Sequence, residues 1–439
     1  MEILVLALVV IFIIVATIKF KMHPVFSLTL AAVVSGFLLG LSPQNIMETM
    51  GNGFGKTLSG IGLVIAFGTV IGIYLEKTRS TKVLANSILK LIGLKKSPLA
   101  INLAGYIISI PVFCDSGFII LSSLNKALSK KSGIPIMVYA VALATGLYAA
   151  HVFVPPTPGP LAAAAILEAD LGTVLLLGLV VSIPVSLMGY FWARFMGRKL
   201  KQEVAKEESD VQEEEGSNIK PFNAFLPLVV PIVLIALKSV ANYPTFPLGK
   251  SNLFFVFDFL GSPIIALLIG VLLAFMMARK IPAEEQKQWV PEAFRQAGAI
   301  VLITGAGGAF GAILRTLDMA EIFNLTQSSG LGGLLISFAI AAVLKTAQGS
   351  STVAIITTSA IIAPLLDTFG LLSITDKALA VLAVGAGAMT VSHVNDSYFW
   401  VVSQFSNMNV KTALRGHTLA TLFQGLVGLG VIVLLYTFL

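Results

Sequence analysis

Apolar runs close to twenty residues long recur from one end of this chain to the other, and four of them are cut or closed by polar clusters. That pattern limits the fold more than any other feature. About twenty apolar residues at 1.5 Å rise span the hydrocarbon of a bilayer, and only helices or closed barrels satisfy their backbone there. With 56% of 439 residues hydrophobic and 12% charged, a soluble domain could not cover so much apolar surface. Ten spans are expected, near 3–18, 25–42, 58–75, 136–152, 172–193, 223–240, 260–278, 297–314, 378–392 and 418–438. The first has no A-x-A cleavage site behind it and reads as a retained span rather than a leader. Two further apolar segments, 98–125 and 331–370, are broken by polar residues and read as re-entrant hairpins. The single cysteine, Cys114, rules out an internal disulfide.

The cations fix an orientation. Of 29 Lys and Arg, 23 fall in the loops around Lys21, 77–96, 126–131, 194–222, 279–295 and 407–416. By the positive-inside rule those loops are cytoplasmic, which places both termini outside and opens the hairpins to opposite sides. A net charge of +7 dealt out loop by loop is not a nucleic-acid surface. The charge-rich stretch Glu203 to Gly216 reads as a cytoplasmic linker.

That linker separates two similar halves, 1–195 and 223–439, with 196–222 between them. Residues 60–84 align without gaps to 299–323, sharing Ile61/Ile300, Leu63/Leu302, Gly68/Gly307, Gly72/Gly311 and Leu75/Leu314. The order of elements repeats as well, and the charge that follows the matched spans changes bias. The expected fold is therefore an all-α polytopic membrane protein of two inverted-topology repeats: about ten transmembrane helices, two re-entrant hairpins and two broken helices. That architecture marks secondary transporters.

The polar breaks carry the chemistry. They are "PVFCDSGF" (Pro111 to Phe118), "HVFVPPTPGP" (His151 to Pro160), "KTAQGSSTVA" (Lys345 to Ala354) and "SHVNDSYFW" (Ser392 to Trp400). Prolines 155, 156, 158 and 160 cannot continue a helix. Gly117, Gly159 and Gly349 allow turns and close backbone approach. Ser116, Thr157, Ser350, Ser351, Asp396 and Ser397 suit the starts of new half-helices, whose free N–H groups and positive dipole ends favour a carboxylate. The expected substrate contacts are Asp115, Ser116, Gly117, Thr157, Gly159, Gln348, Gly349, Ser350, Ser351, Thr352, Asn395 and Ser397. The proton-carrying candidates are Asp115, His393, Asp396 and His151. The two acids could instead cap helices, but buried acids are costly in a membrane and mark function. Each histidine also fits a packing role satisfied by one hydrogen bond. Lys345 fits two readings, snorkelling to an interface or meeting substrate.

Other classes lack their motifs. "GNGFGKT" (Gly51 to Thr57) is one residue short of a phosphate loop, and "GAGGAFG" (Gly305 to Gly311) follows no strand. His23, His151, His393 and His417 form no H-E-x-x-H pair. No metal or cofactor site and no enzymatic activity are expected. A channel remains an alternative, since re-entrant hairpins also build filters.

The strings "VFVPPTPGPLAAA" (Val152 to Ala164), "AQGSSTVA" (Ala347 to Ala354) and "SHVNDSYFW" resemble the gluconate permease family of bacterial carboxylate:proton symporters, within the ion transporter superfamily. The resemblance covers nearly the whole chain. It implies import of gluconate or a related small hydroxy or amino acid with protons across the bacterial cytoplasmic (inner) membrane. It also implies an elevator-type mechanism and a homodimer. The partners are then the carboxylate, protons, the lipid bilayer and a second copy, with no nucleic acid. Two departures fall at the expected site. Thr157 stands where gluconate members carry histidine, and Cys114, Asp115 and Ser116 stand where they carry a glutamate-containing tip. Both favour a shorter or differently substituted hydroxy acid. Sodium coupling is the alternative to protons.

Overall fold

The computed structural model describes residues 19–199, 219–242, 252–314, 330–394 and 396–439, together with 8–9, 11–13, 15–16 and 316. Much of the expected first span, most of the linker, the second copy of the repeat segment beyond 316 and Asn395 lie outside the described residues. Those residues form helices and no strand. In chain order they are α1 (Pro24–Leu38), α2 (Pro43–Lys77), α3 (Ser80–Ile92), α4 (Ser97–Ile108), α5 (Cys114–Ser132), α6 (Ile136–Phe153), α7 (Pro158–Ile166) and α8 (Leu171–Lys199). There follow α9 (Pro221–Ala241), α10 (Asn252–Leu260), α11 (Pro263–Ala278), α12 (Trp289–Leu314), α13 (Gly330–Gln348), α14 (Ser351–Ile362), α15 (Ile374–Met389) and α16 (Ser397–Phe405). The last, α17 (Val410–Phe438), contains a π-turn over Leu414–Thr418.

Among the described residues seven helical spans are long and apolar enough to cross a membrane, and eight if α10 and α11, bent by 68°, count as one. Three of the ten expected spans are shorter as single helices: α1 has 15 residues, and α11 and α15 have 16 each. Helix α15 need not match the bilayer, because Ala378 to Met389 are buried without interruption. Helix α6 is enclosed in the same way, with 17 residues buried from Met137 to Phe153. Both are rich in Ala and apolar on every side, the composition of a core helix.

The expected outside loop before residue 58 is helical instead. Ser42 caps α2, accepting from the Asn45 amide at 3.2 Å, and Pro43 opens the first turn. The string Gly51 to Thr57 is therefore about two turns of a 35-residue helix. Its glycines let α2 and α12 cross closely: a Cβ on Gly53 would lie 2.6 Å from the Gly308 carbonyl oxygen.

Packing divides the helices into two groups. Helices α1, α2, α9, α11 and α12 pack chiefly on one another, as do α4–α8 with α13–α17. Buried amides tie the second group together. Asn102 donates to the Ala142 carbonyl at 2.9 Å and accepts from Ser186, joining α4, α6 and α8. Gln424 of α17 donates to the carbonyls of Thr145 and Val185 at 3.0 and 3.1 Å.

All four expected breaks are present. Ser109–Phe113 separates α4 from α5, Val154–Thr157 separates α6 from α7 with a cis Pro155–Pro156 bond, Gly349–Ser350 separates α13 from α14, and Thr390–Asp396 separates α15 from α16. The paired arms are unequal. The 19-residue α13 is long enough to cross by itself, so its break comes near one end of a full span.

Candidate functional site

The last break meets the tip of the α13–α14 pair. Lys345, on the last turn of α13, is 1% exposed, and Asp396, at the start of α16, is 4% exposed. Their charged groups pair at 2.5 Å. The Lys345 ammonium also donates to the Gly349 carbonyl at 3.2 Å. Asp396 holds two further donors, the Ser392 hydroxyl and, as cap of α16, the Tyr398 amide at 3.0 Å. His393 contacts the Thr346 carbonyl through Nε2 at 2.9 Å, so a second bond joins the same two breaks. Burial of the Lys345 ammonium against Asp396 excludes snorkelling to an interface. A lone lysine late in an apolar run carries no sign of a partner 51 positions on.

Gly349 makes this geometry possible. Its φ of +76° lies in the left-handed region, where a side chain is costly. That turn ends α13 and brings its last carbonyl back onto Lys345. Ser350 then caps α14, accepting from the Val353 amide at 3.4 Å. Ser351 is buried and Thr352 half-buried in the first turn of α14.

The first half approaches from the other side. Asp115, in the first turn of α5, is within electrostatic reach of Asp396 and Lys345. Its Oδ1 is enclosed and finds no hydrogen-bond partner within the protein. His151, on the last turn of α6, is 5% exposed and stands between Tyr148 and Phe113 at ring distances of 6.5 and 6.2 Å. Its Nδ1 is likewise unpartnered, as are both amide atoms of Gln348. Buried polar atoms are nearly always paired, so enclosed donors and acceptors at converging breaks are suited to a polar ligand. The halves touch through rings: Tyr398 of α16 packs on Tyr148 at 5.3 Å and Phe118 at 6.3 Å, and its hydroxyl donates to the Ala144 carbonyl.

Other expected contacts are used differently. The missing side chain of Gly117 faces Leu147, whose Cδ2 would lie 2.7 Å from a Cβ, so this glycine makes room for helix packing. Gly159 meets Ile355 of α14 in the same way, at 2.9 Å. The Thr157 hydroxyl donates to the Val154 carbonyl at 2.6 Å. Ser116 is half-buried, and Ser397 is exposed at the start of α16. Asn395 lies outside the described residues.

A cavity of about 820 Å³ opens elsewhere, against α2, α12, the C-terminal end of α7 and the start of α15. Lys56, Lys377, Glu168 and Asp170 line it. Lys56 and Glu168 form an ion pair at 2.7 Å. Ala164–Ile166 border this cavity, whereas Thr157 precedes the other end of the same nine-residue helix. The cavity and the breaks are thus separated by about 13 Å of helix.

Comparison with known proteins identifies a family of transporters. A family described as GntP family permease matches residues 1–439. The chain is 32% identical over 427 residues to a gluconate permease of Pseudomonas aeruginosa, covering 95% of this chain and 93% of that one. It is 31% identical to the Gnt-II system L-idonate transporter of Escherichia coli, covering 98% of each. Its fold is similar to that of the Alcanivorax borkumensis YdaH transporter, with a TM-score of 0.71 over 95% of this chain and 98% of the other, at 13% identity.

Proposed function

This chain belongs to the GntP family of permeases, and from that premise we propose that it imports a small hydroxylated carboxylate across the bacterial inner membrane with protons. The buried Lys345–Asp396 pair carries this reading. It stands where two helix breaks meet, with Asp115 of the first half in electrostatic reach. A substrate carboxylate competes with Asp396 for the Lys345 ammonium. The Gln348 amide and the first turn of α14 supply bonds to carboxylate or hydroxyls, with Asp115 and His151 facing them.

Charge counting gives the coupling. Counting the Lys345–Asp396 pair alone, the empty site, with Lys345 cationic and Asp396 anionic, is neutral. The site holding one carboxylate and one proton on Asp396 is neutral too. The site holding the carboxylate without the proton carries one unpaired negative charge. Burying such a charge costs several kcal/mol. A penalty of about 4 kcal/mol suppresses that state roughly a thousandfold. Only the two neutral forms then reorient, which is symport.

The moving unit in this reading is α4–α8 with α13–α17, sliding as an elevator against α1, α2, α9, α11 and α12. The division of packing supports it, as does the shared succession of long helix, interrupted pair, broken helix and long helix in the two halves, read as inverted repeats. The 820 Å³ cavity is the outer mouth, where Lys56 and Lys377 attract an anion. A homodimer follows from the superfamily resemblance.

The test is uptake into proteoliposomes from a panel of gluconate, idonate, shorter hydroxy acids and serine, with and without an imposed pH gradient. Saturable uptake driven by inward protons and abolished by a protonophore is expected. Uptake insensitive to the pH gradient but driven by sodium, or flux that does not saturate, overturns the proposal in favour of sodium coupling or a channel.

A further inference from the structure

The proton path just proposed leaves a buried histidine unused. His417 lies in the π-turn of α17 and is fully enclosed. Its Nε2 is 3.2 Å from the Ser392 hydroxyl oxygen, and that hydroxyl bonds the Asp396 carboxylate. Ser392 is held in place by α17 at two more points. Its amide donates to the Thr421 hydroxyl at 3.0 Å, and its carbonyl accepts from Thr418 at 2.5 Å. A π-turn inserts one residue into a helix and is frequent at functional sites. The Tyr398 and Phe399 rings close over the imidazole at 5.4 and 6.4 Å. The charged and titratable groups facing it are Asp396, Lys345 and Tyr398.

Two observations argue against a packing histidine. Its Nδ1 is buried and finds no partner within the protein. An apolar side chain of similar size would fill the place without that loss. The position also has a direction. Arg415, two residues earlier, is exposed, and with Lys411 it belongs to the loop that the charge pattern assigns to the cytoplasm. Among the chain of groups from Lys345 to α17, His417 is thus the member nearest to cytoplasmic solvent along the sequence.

We propose that His417 is the inner proton port of this transporter, joined to Asp396 through the Ser392 hydroxyl; the inference rests on proton coupling as read above. With Ser392 donating to ionised Asp396, the matching tautomer of His417 has Nε2–H donating to Ser392. When Nδ1 takes a proton from the cytoplasmic side, the Nε2 proton passes to the Ser392 oxygen and the Ser392 proton passes to Asp396. The products are a neutral carboxylic acid, an intact serine hydroxyl and an imidazole protonated at Nδ1. Release is the reverse: the acid's proton goes to Ser392, the serine's proton goes to Nε2, and the Nδ1 proton leaves. The imidazole returns to its starting tautomer between cycles by exchanging ring protons with cytoplasmic water. No other reactant is needed.

The experiment compares two transport modes in proteoliposomes, using gluconate or whichever panel member is taken up fastest. One is net uptake driven by a pH gradient, with proton flux recorded. The other is counterflow exchange at equal pH, which moves substrate without net proton transfer. His417→Gln keeps a donor for Ser392 but cannot be protonated. Its driven uptake and substrate-dependent proton flux are expected to fall at least tenfold more than its counterflow. Ser392→Ala is expected to do the same, and Ser392→Thr to restore the driven mode by returning a hydroxyl. His417→Gln that keeps the wild-type proton flux overturns the proposal, as does a variant that loses both modes equally. If wild-type protein moves no protons with substrate, the coupling reading itself fails, and the wild-type arm alone reveals it.

Discussion

Breaking the Lys345–Asp396 pair from one side should destabilise the protein, and breaking it from both sides should not. Lys345→Met leaves a carboxylate that is 4% exposed with only Ser392 and the Tyr398 amide against it. Asp396→Asn leaves a buried ammonium with only the Gly349 carbonyl. Removing one member of a buried pair costs about 3–5 kcal/mol, because the survivor is an uncompensated charge. The survivor can escape by changing protonation. For a carboxyl at pH 7 that costs about 4 kcal/mol from its ordinary value, and at pH 5 about 1.5 kcal/mol. Lys345→Met should therefore recover much of its loss on acidification, whereas Asp396→Asn should not. The double variant buries a thioether and an amide, and Asn caps α16 as well as Asp does, so it should lie within about 1 kcal/mol of wild type. At about 2 cal/mol/K per residue, 439 residues unfold with roughly 0.9 kcal/mol/K, so each single variant should melt about 3–5 °C lower. Helices that persist in detergent reduce that entropy and enlarge the shift. Cys114, buried and the only cysteine, reports unfolding through a thiol-reactive dye. If the double loses the sum of the two singles, the groups are not coupled; if it loses as much as either single, no uncompensated charge is at work; either result collapses the charge-counting argument.

Two glycines should respond in opposite ways. Gly117→Val drives a branched side chain into Leu147 and should lower folded yield by 2 kcal/mol or more in stability, about what overpacking costs; a well-folded Gly117→Val protein would refute that packing. Gly349→Val forces a left-handed φ on a branched residue at about 1–2 kcal/mol and displaces the Lys345 turn, so transport should fall more than melting temperature; unchanged uptake would sink the role of that tip. A cytoplasm-active reporter fused after Leu439 should stay silent if the cationic loops are cytoplasmic as the positive-inside rule expects, and a strong signal would reverse the orientation.

Much of the fold was legible because backbone chemistry writes breaks openly. Proline clusters, glycine and helix-capping Ser or Thr inside apolar runs have few uses at membrane depth, and all four breaks fall where those residues cluster. The start of α2 was legible too, in Ser42 followed by Pro43, but the polar and glycine-rich run after it resembles a loop. Those glycines serve contact with Gly308 of α12, a long-range demand that no local pattern records. The same limit hid the pair. Lys345 and Asp396 each look ordinary in sequence, and only the left-handed turn at Gly349 and the break after Thr390 bring them together. His417 was hidden more deeply. It sits beside a loop marked cytoplasmic by its charges, and nothing local announces a π-turn.

The two halves reach the site in different electrical states, and that difference says how a ligand is received. The second half brings a closed pair, with Lys345 and Asp396 satisfying each other and Ser392 completing the carboxylate. The first half brings atoms with nothing to bind, Asp115 Oδ1 and His151 Nδ1, and Gln348 adds an unpaired amide beside the tip. An anion entering such a site meets one cation already engaged and several polar groups that are free. Its hydroxyls gain bonds at once, since they displace no protein partner. Its carboxylate gains Lys345 only if Asp396 lets go, and Asp396 lets go at low cost only when it holds a proton. In the proposed mechanism, selectivity for a hydroxylated acid and dependence on a proton thus come from separate features of one site. A substrate lacking hydroxyls loses the first set of bonds while keeping the second.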